Sequence, residues 1–93
     1  MPATIRVDRS APGRFRVTIT EGGSHSEHAV SLKAAYYEKL TGKRVAEEVL
    51  IERSFQFLLE REPKESILRE FDLSVIGRYF PVYESDIRER LEA

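Results

Sequence analysis

Ninety-three residues with 41% hydrophobic and 33% charged side chains make a one-domain chain, long enough to bury a single modest core without staples. Cysteine is absent and the net charge is −1, which excludes disulfide frameworks, thiolate zinc sites, cysteine nucleophiles and a strong overall field on nucleic acid or lipid. Met1-Pro2-Ala3-Thr4 has no apolar stretch of the signal-peptide kind, and runs such as Val49-Leu50-Ile51 are far too short to span a bilayer, so the expected setting is cytoplasmic and off the membrane.

Residues 4–32 read as strands. Ile5 and Val7 alternate with Arg6 and Asp8, Phe15, Val17 and Ile19 with Arg16, Thr18 and Thr20, and Val30 and Leu32 flank Ser31. A period of two places the apolar members on one face and the polar members on the other. Turn signals at Ser10-Ala11-Pro12-Gly13 and Glu21-Gly22-Gly23-Ser24 divide the region into a three-stranded antiparallel meander. Such a meander needs a cover for its apolar face.

The cover is helical. Residues 34–40 make about two turns with Gly42 as C-cap. Residues 45–62 carry no glycine or proline and form the strongest helix, which Pro63 stops. Lys64 to Phe71 reads as the next helix, with Glu60–Lys64 and Glu65–Arg69 spaced for ion pairing. Asp72 is a good N-cap for Leu73 to Phe80. Pro81 breaks the chain before a terminal helix whose face carries Tyr83, Ile87 and Leu91. The 45–62 helix is apolar nearly all round, with Val45, Val49 and Leu59 on one side and Ile51, Phe55 and Leu58 on the other. It is therefore wrapped either by its own chain or by a second copy, and a homodimer is expected. The fold class is α+β: a three-stranded sheet on a long central helix and several short C-terminal ones, forming one domain over 1–93 (meander 1–32, helical part 33–93).

No assembled chemistry emerges. His25 and His28 flank Glu27, but residues three apart on a strand point to opposite faces, and zinc needs three or four converging ligands. Thr41-Gly42-Lys43-Arg44 resembles the end of a phosphate loop, yet Tyr37 stands where glycine is required and Arg44 where Ser or Thr is required. Glu47, Glu48, Glu52 and Glu60 lack the histidine of a di-iron helix, and no nucleophile elbow occurs. Neither enzymatic activity nor a cofactor nor a metal is expected.

Two interaction surfaces follow. Charge is uneven, since residues 1–46 hold eight Lys/Arg against four Asp/Glu. Arg6, Arg14 and Arg16 on the wet sheet face, with Lys43 and Arg44, could meet phosphates, although no outward aromatic offers base stacking. The order strand, short helix, long helix over 27–62 resembles a ribbon–helix–helix repressor, without base-reading side chains on residues 28–32. Residues 66–80 also read as a helix-turn-helix, cut short by Pro81.

The run SFQFLLEREPKESILREFDLSVI at 54–76, then RYFPVYE at 78–84, with YYEKLTG at 36–42, resembles a group of short uncharacterised bacterial proteins. The resemblance implies a bacterial, cytoplasmic setting and brings no functional residues. Most of the run is core and punctuation: Leu58, Leu59, Ile67, Leu68, Phe71, Leu73, Ile76, Tyr79 and Phe80 at helical spacing, with Pro63, Asp72 and Pro81 setting the bends. Arg61, Arg78, Tyr79 and Tyr83 are the candidates for contact with an unidentified protein partner. The leading expectation is a non-enzymatic interaction or regulatory module acting near Tyr79 to Tyr83, and the alternative is a nucleic-acid-binding regulator.

Overall fold

The computed structural model describes residues 3–92. The alternating pattern folds as expected into an antiparallel meander of β1 (Thr4–Ala11), β2 (Arg14–Glu21) and β3 (Ser24–Ser31). Phe15, Val17, Ile19 and Val30 are buried on one face, whereas Arg14, Arg16 and Thr20 stay exposed on the other. Both turns fall on glycines in the left-handed region, Gly13 at φ 70° and Gly22 at φ 61°, where an L side chain is strained. The Leu32 N–H donates to the Gly13 carbonyl at 2.8 Å and locks the first turn.

Helix α1 (Ala34–Thr41) ends as anticipated at Gly42, whose φ is 61° and whose N–H donates to the Glu38 carbonyl. Helix α2 spans Glu47–Leu59, shorter than the 45–62 segment. Residues 60–62 make a last turn, with the Arg61 and Glu62 N–H groups both donating to the Leu58 carbonyl at 2.9 Å, and Pro63 disfavours helical backbone at Glu62 and stops the chain there. Phe55 faces the sheet, with ring centroids 5.6 Å from His28 and 5.9 Å from Phe71. Phe57 faces the other way, 5.3 Å from Tyr83 and 5.8 Å from Phe80. The all-round apolar character of α2 is thus absorbed within one chain, between the sheet and α4 (Tyr83–Glu92). A second copy is not needed to cover it.

The sheet has four strands, not three. The fourth, β4 (Glu70–Asp72), pairs parallel to β3, with Val30 opposite Phe71 and Ser31 opposite Asp72. The expected helix from Lys64 to Phe71 is replaced by one 3-10 turn (Lys64–Ser66), an extended stretch and β4. The cause is tertiary. The outer edge of β3 presents backbone donors and acceptors that must be paired, and the Ala29 N–H donates to the Arg69 carbonyl at 2.7 Å. The helical pairs Glu60–Lys64 and Glu65–Arg69 do not form. Lys64 instead turns inward, buried, with Nζ 2.5 Å from Glu65 and 3.9 Å from Glu21.

Asp72 does cap, accepting from the Ser74 N–H at 3.2 Å at the start of a 3-10 turn (Leu73–Val75) that runs into α3 (Ile76–Tyr79). Helix α4 buries Tyr83 and Ile87 on the predicted face. The molecule is therefore two layers, a sheet open on one side and helices on the other. Among the described residues no helix is long and apolar enough to cross a membrane.

Candidate functional site

Pro63 ends the α2 segment, β4 pulls the following chain toward the sheet, and Pro81 cuts α3 to four residues. These three departures leave an apolar groove of about 430 Å³ lined by Leu58, Ile67, Leu68, Phe71, Val75, Ile76, Tyr79 and Phe80, with Glu62 and Ser66 as its polar members. Leu58, Ile67, Phe71 and Ile76 form a buried floor. Leu68 and Tyr79 stand on the rim, 48% and 67% exposed. Large apolar side chains this exposed mark contact surfaces when they cluster around a concavity. Val82, close by in sequence, is 55% exposed.

Of the four residues nominated for partner contact, only Tyr79 lines this groove. Arg78 is exposed beside it on α3. Arg61 lies elsewhere, with its guanidinium 3.6 Å over the Phe57 ring and 3.6 Å from Asp86 on α4. Arg90 completes the clamp, donating to both Glu60 carboxylate oxygens at 2.6 and 2.9 Å and to Asp86 at 2.6 Å. Those bonds from Arg90 hold the Glu60 carboxyl below its usual range. Arg61 therefore belongs to a joint between α2 and α4.

Tyr83 corrects its nomination outright. It is fully buried, and its hydroxyl lies 2.6 Å from Ser54 Oγ. Ser54 donates to the Leu50 carbonyl at 2.7 Å, so Tyr83 is the donor in the pair. Burial pushes the phenol pKa upward. Tyr36 is similarly raised by burial and by its 2.9 Å bond to Glu84, whose carboxyl is lowered in turn.

Arg6, Arg14 and Arg16 do share the open sheet face, but they are not alone there. The register sets Arg6 beside Thr18 and Thr18 beside Glu27, while Asp8, Arg16, Ala29 and Glu70 form one row, and Arg14, Ser31 and Asp72 another. Arg6 pairs with Asp8 at 3.0 Å. Three cations interleaved with four carboxylates carry no basic field. Lys43 and Arg44 follow α1 in the helical layer, on the other side of the sheet, where Lys43 lies 3.8 Å from Glu38 and Arg44 lines a hollow with Arg88.

β3 lies inside the sheet, paired to β2 and β4. Residues 29–31, the stretch that would form the two-chain ribbon of a ribbon–helix–helix repressor, are paired on both sides, and β4 interrupts the helix-turn-helix reading of 66–80. His25 is exposed, whereas His28 is buried. The His28 ring bonds the Leu68 carbonyl through Nδ1 at 2.7 Å and Ser26 Oγ through Nε2 at 2.9 Å. Among the described residues no three metal-ligating side chains converge.

Apart from Tyr79, the sequence points to none of the groove's floor or rim: Leu58, Ile67, Leu68, Phe71 and Ile76 read only as core at helical spacing, and Val75 carries no reading of its own. Leu68 stands on the rim because the chain runs extended between the 3-10 turn and β4 instead of continuing as a helix. Compared with protein-family models, with curated proteins and with solved structures, the chain finds no match.

Proposed function

We propose that the chain is a small non-enzymatic interaction or regulatory module, of bacterial and cytoplasmic setting, that docks an apolar segment of a partner protein in the groove between α2, β4 and α3. The observation that carries this reading is the pairing of exposed Leu68 and Tyr79 over a buried apolar floor. Covering the part of each side chain that is still exposed stabilises a complex by about 1–2 kcal/mol, and tyrosine is a frequent anchor of binding energy. Glu62 at the groove wall favours a segment flanked by Lys or Arg.

The groove reading is tested with a photo-reactive phenylalanine analogue in place of Tyr79, activated in cells. One cross-linked protein is expected, and a peptide spanning its cross-linked segment should bind the purified chain. Leu68→Asp should weaken that binding at least about tenfold, the loss of one anchor, while Arg14→Ala with Arg16→Ala leaves it unchanged. Peptide binding that ignores Leu68→Asp overturns the groove as the site. Tyr83→Ala is no test of the surface, because Tyr83 is core. The nucleic-acid alternative draws support only from the arginines of the open face, and it predicts salt-dependent binding lost in Arg14→Ala with Arg16→Ala.

A further inference from the structure

The two edges of the sheet are unlike. β4 offers three residues beside the groove, whereas β1 presents an eight-residue edge at the opposite end. A long uncovered edge is a row of backbone donors and acceptors ready for another strand. The core is also incomplete there. Val17, Ile19 and Val30 are fully buried in the inner strands, but Ile5 and Val7 on β1 remain partly exposed, because no strand lies beyond them. A shallow hollow next to Ile5 is lined by Glu52, Gln56, Leu59 and Glu60.

We infer that β1 pairs antiparallel with β1 of a second copy, about a two-fold axis at Val7, making one continuous eight-stranded sheet with both helical layers on the same side. The charge pattern selects this register. Side chains of paired residues share a face, so an axis normal to the sheet must pass through a residue pair of identical number. At Val7 it places Arg6 opposite Asp8 of the copy, twice over. At Arg6 it sets arginine against arginine, and at Asp8 aspartate against aspartate. An axis at Ile5 keeps fewer pairs and leaves Arg6 facing Thr4. With the axis at Val7, Arg9 of the copy falls opposite Ile5, while its guanidinium keeps its ion pair with Glu47 of its own chain. Charges on an edge ordinarily deter pairing, but Arg6 and Asp8 are complementary to themselves in reverse. The irregularity between Arg9 and Ala11 ends the ladder after a short run.

The experiment is mass measurement by sedimentation equilibrium in the analytical ultracentrifuge, over a micromolar to submillimolar dilution series. The wild-type chain should approach twice its 10.7 kDa mass at the concentrated end. Arg6→Asp and Asp8→Arg, each alone, place like charges across the axis twice and should stay monomeric. An equimolar mixture of the two variants restores both attractive pairs and should form a heterodimer, and the double variant with the charges exchanged should dimerise with itself. Circular dichroism checks that each variant keeps the wild-type fold, as expected for exposed sites. A wild-type chain monomeric throughout, or single variants that dimerise like wild type, would overturn the inference. Loss of groove binding by Leu68→Asp has no bearing on this edge.

Discussion

Tyr83 joins the two helical elements of the core by a single buried hydroxyl bond to Ser54, and its ring meets Phe57 edge-on. The two contributions separate by mutation. Tyr83→Phe keeps the ring and deletes one donor, while Ser54 retains its bond to Leu50, so the expected loss is about 1 kcal/mol. Tyr83→Ala also empties a fully packed site and should cost about 3–5 kcal/mol, a large share of the roughly 5–15 kcal/mol that holds a domain together. Urea unfolding followed by circular dichroism reads both. A Tyr83→Ala chain as stable as Tyr83→Phe would mean that the ring is not packed as described. The same residue shows what sequence reading could and could not see. Its helical spacing with Ile87 and Leu91 correctly assigned it a shared face, but the partner that buries that face, α2, lies about thirty residues away, a separation consistent with the 29-residue span of the Ser54 bond.

At the scale of elements, local punctuation held wherever its demands were local. The link between β2 and β3 contains two glycines, and only Gly22 has positive φ, at 61°. A Cβ meets nothing within 4 Å at either position, so backbone conformation alone separates them. Gly22→Ala should destabilise by about 1 kcal/mol, the cost of a left-handed alanine, whereas Gly23→Ala should stay within about 0.5 kcal/mol. Equal shifts in the urea midpoint would contradict this division. Residues 64–71 behaved differently. Their charges are spaced for a helix, but each exposed pair contributes only about 0.2–0.5 kcal/mol. A buried backbone edge left without partners costs more, about 1–3 kcal/mol per group. The edge of β3, together with His28 bonding the Leu68 carbonyl, therefore won the segment for the sheet.

Across the whole molecule, carboxylates tie neighbouring elements within each layer and set the response to acid. Glu60 is lowered by Arg90, and Glu84 by its bonds to Tyr36 and Lys39. For Asp72 burial acts upward, but the bonds from Ser74 and Ser31 outweigh it and leave the carboxyl lowered. Each group binds its proton more weakly folded than unfolded. Their contribution to stability is therefore complete above the ordinary carboxylate range and is lost as pH falls through the lowered folded values. The urea midpoint should stay level from neutral pH to about 5 and fall below about 4. Asp72→Ala should cost about 1–2 kcal/mol at neutral pH through the lost cap and side-chain bonds, and its midpoint should fall less steeply in acid. A steeper fall in that variant would reverse the sign assigned to Asp72.

Features whose cause lies within a few residues are legible in the chain: the period-two meander, the glycine turns, the Gly42 and Asp72 caps, and the buried stripe of α4. The opposite faces of His25 and His28 follow from the same alternation. The fourth strand, the inward turn of Lys64, the burial of Tyr83, and the groove under Leu68 and Tyr79 come from packing between distant segments. Each of these answers a demand from a distant part of the chain, an open strand edge or an uncovered helix face. Such a demand is absent from any local window, because it arises only once the layers meet.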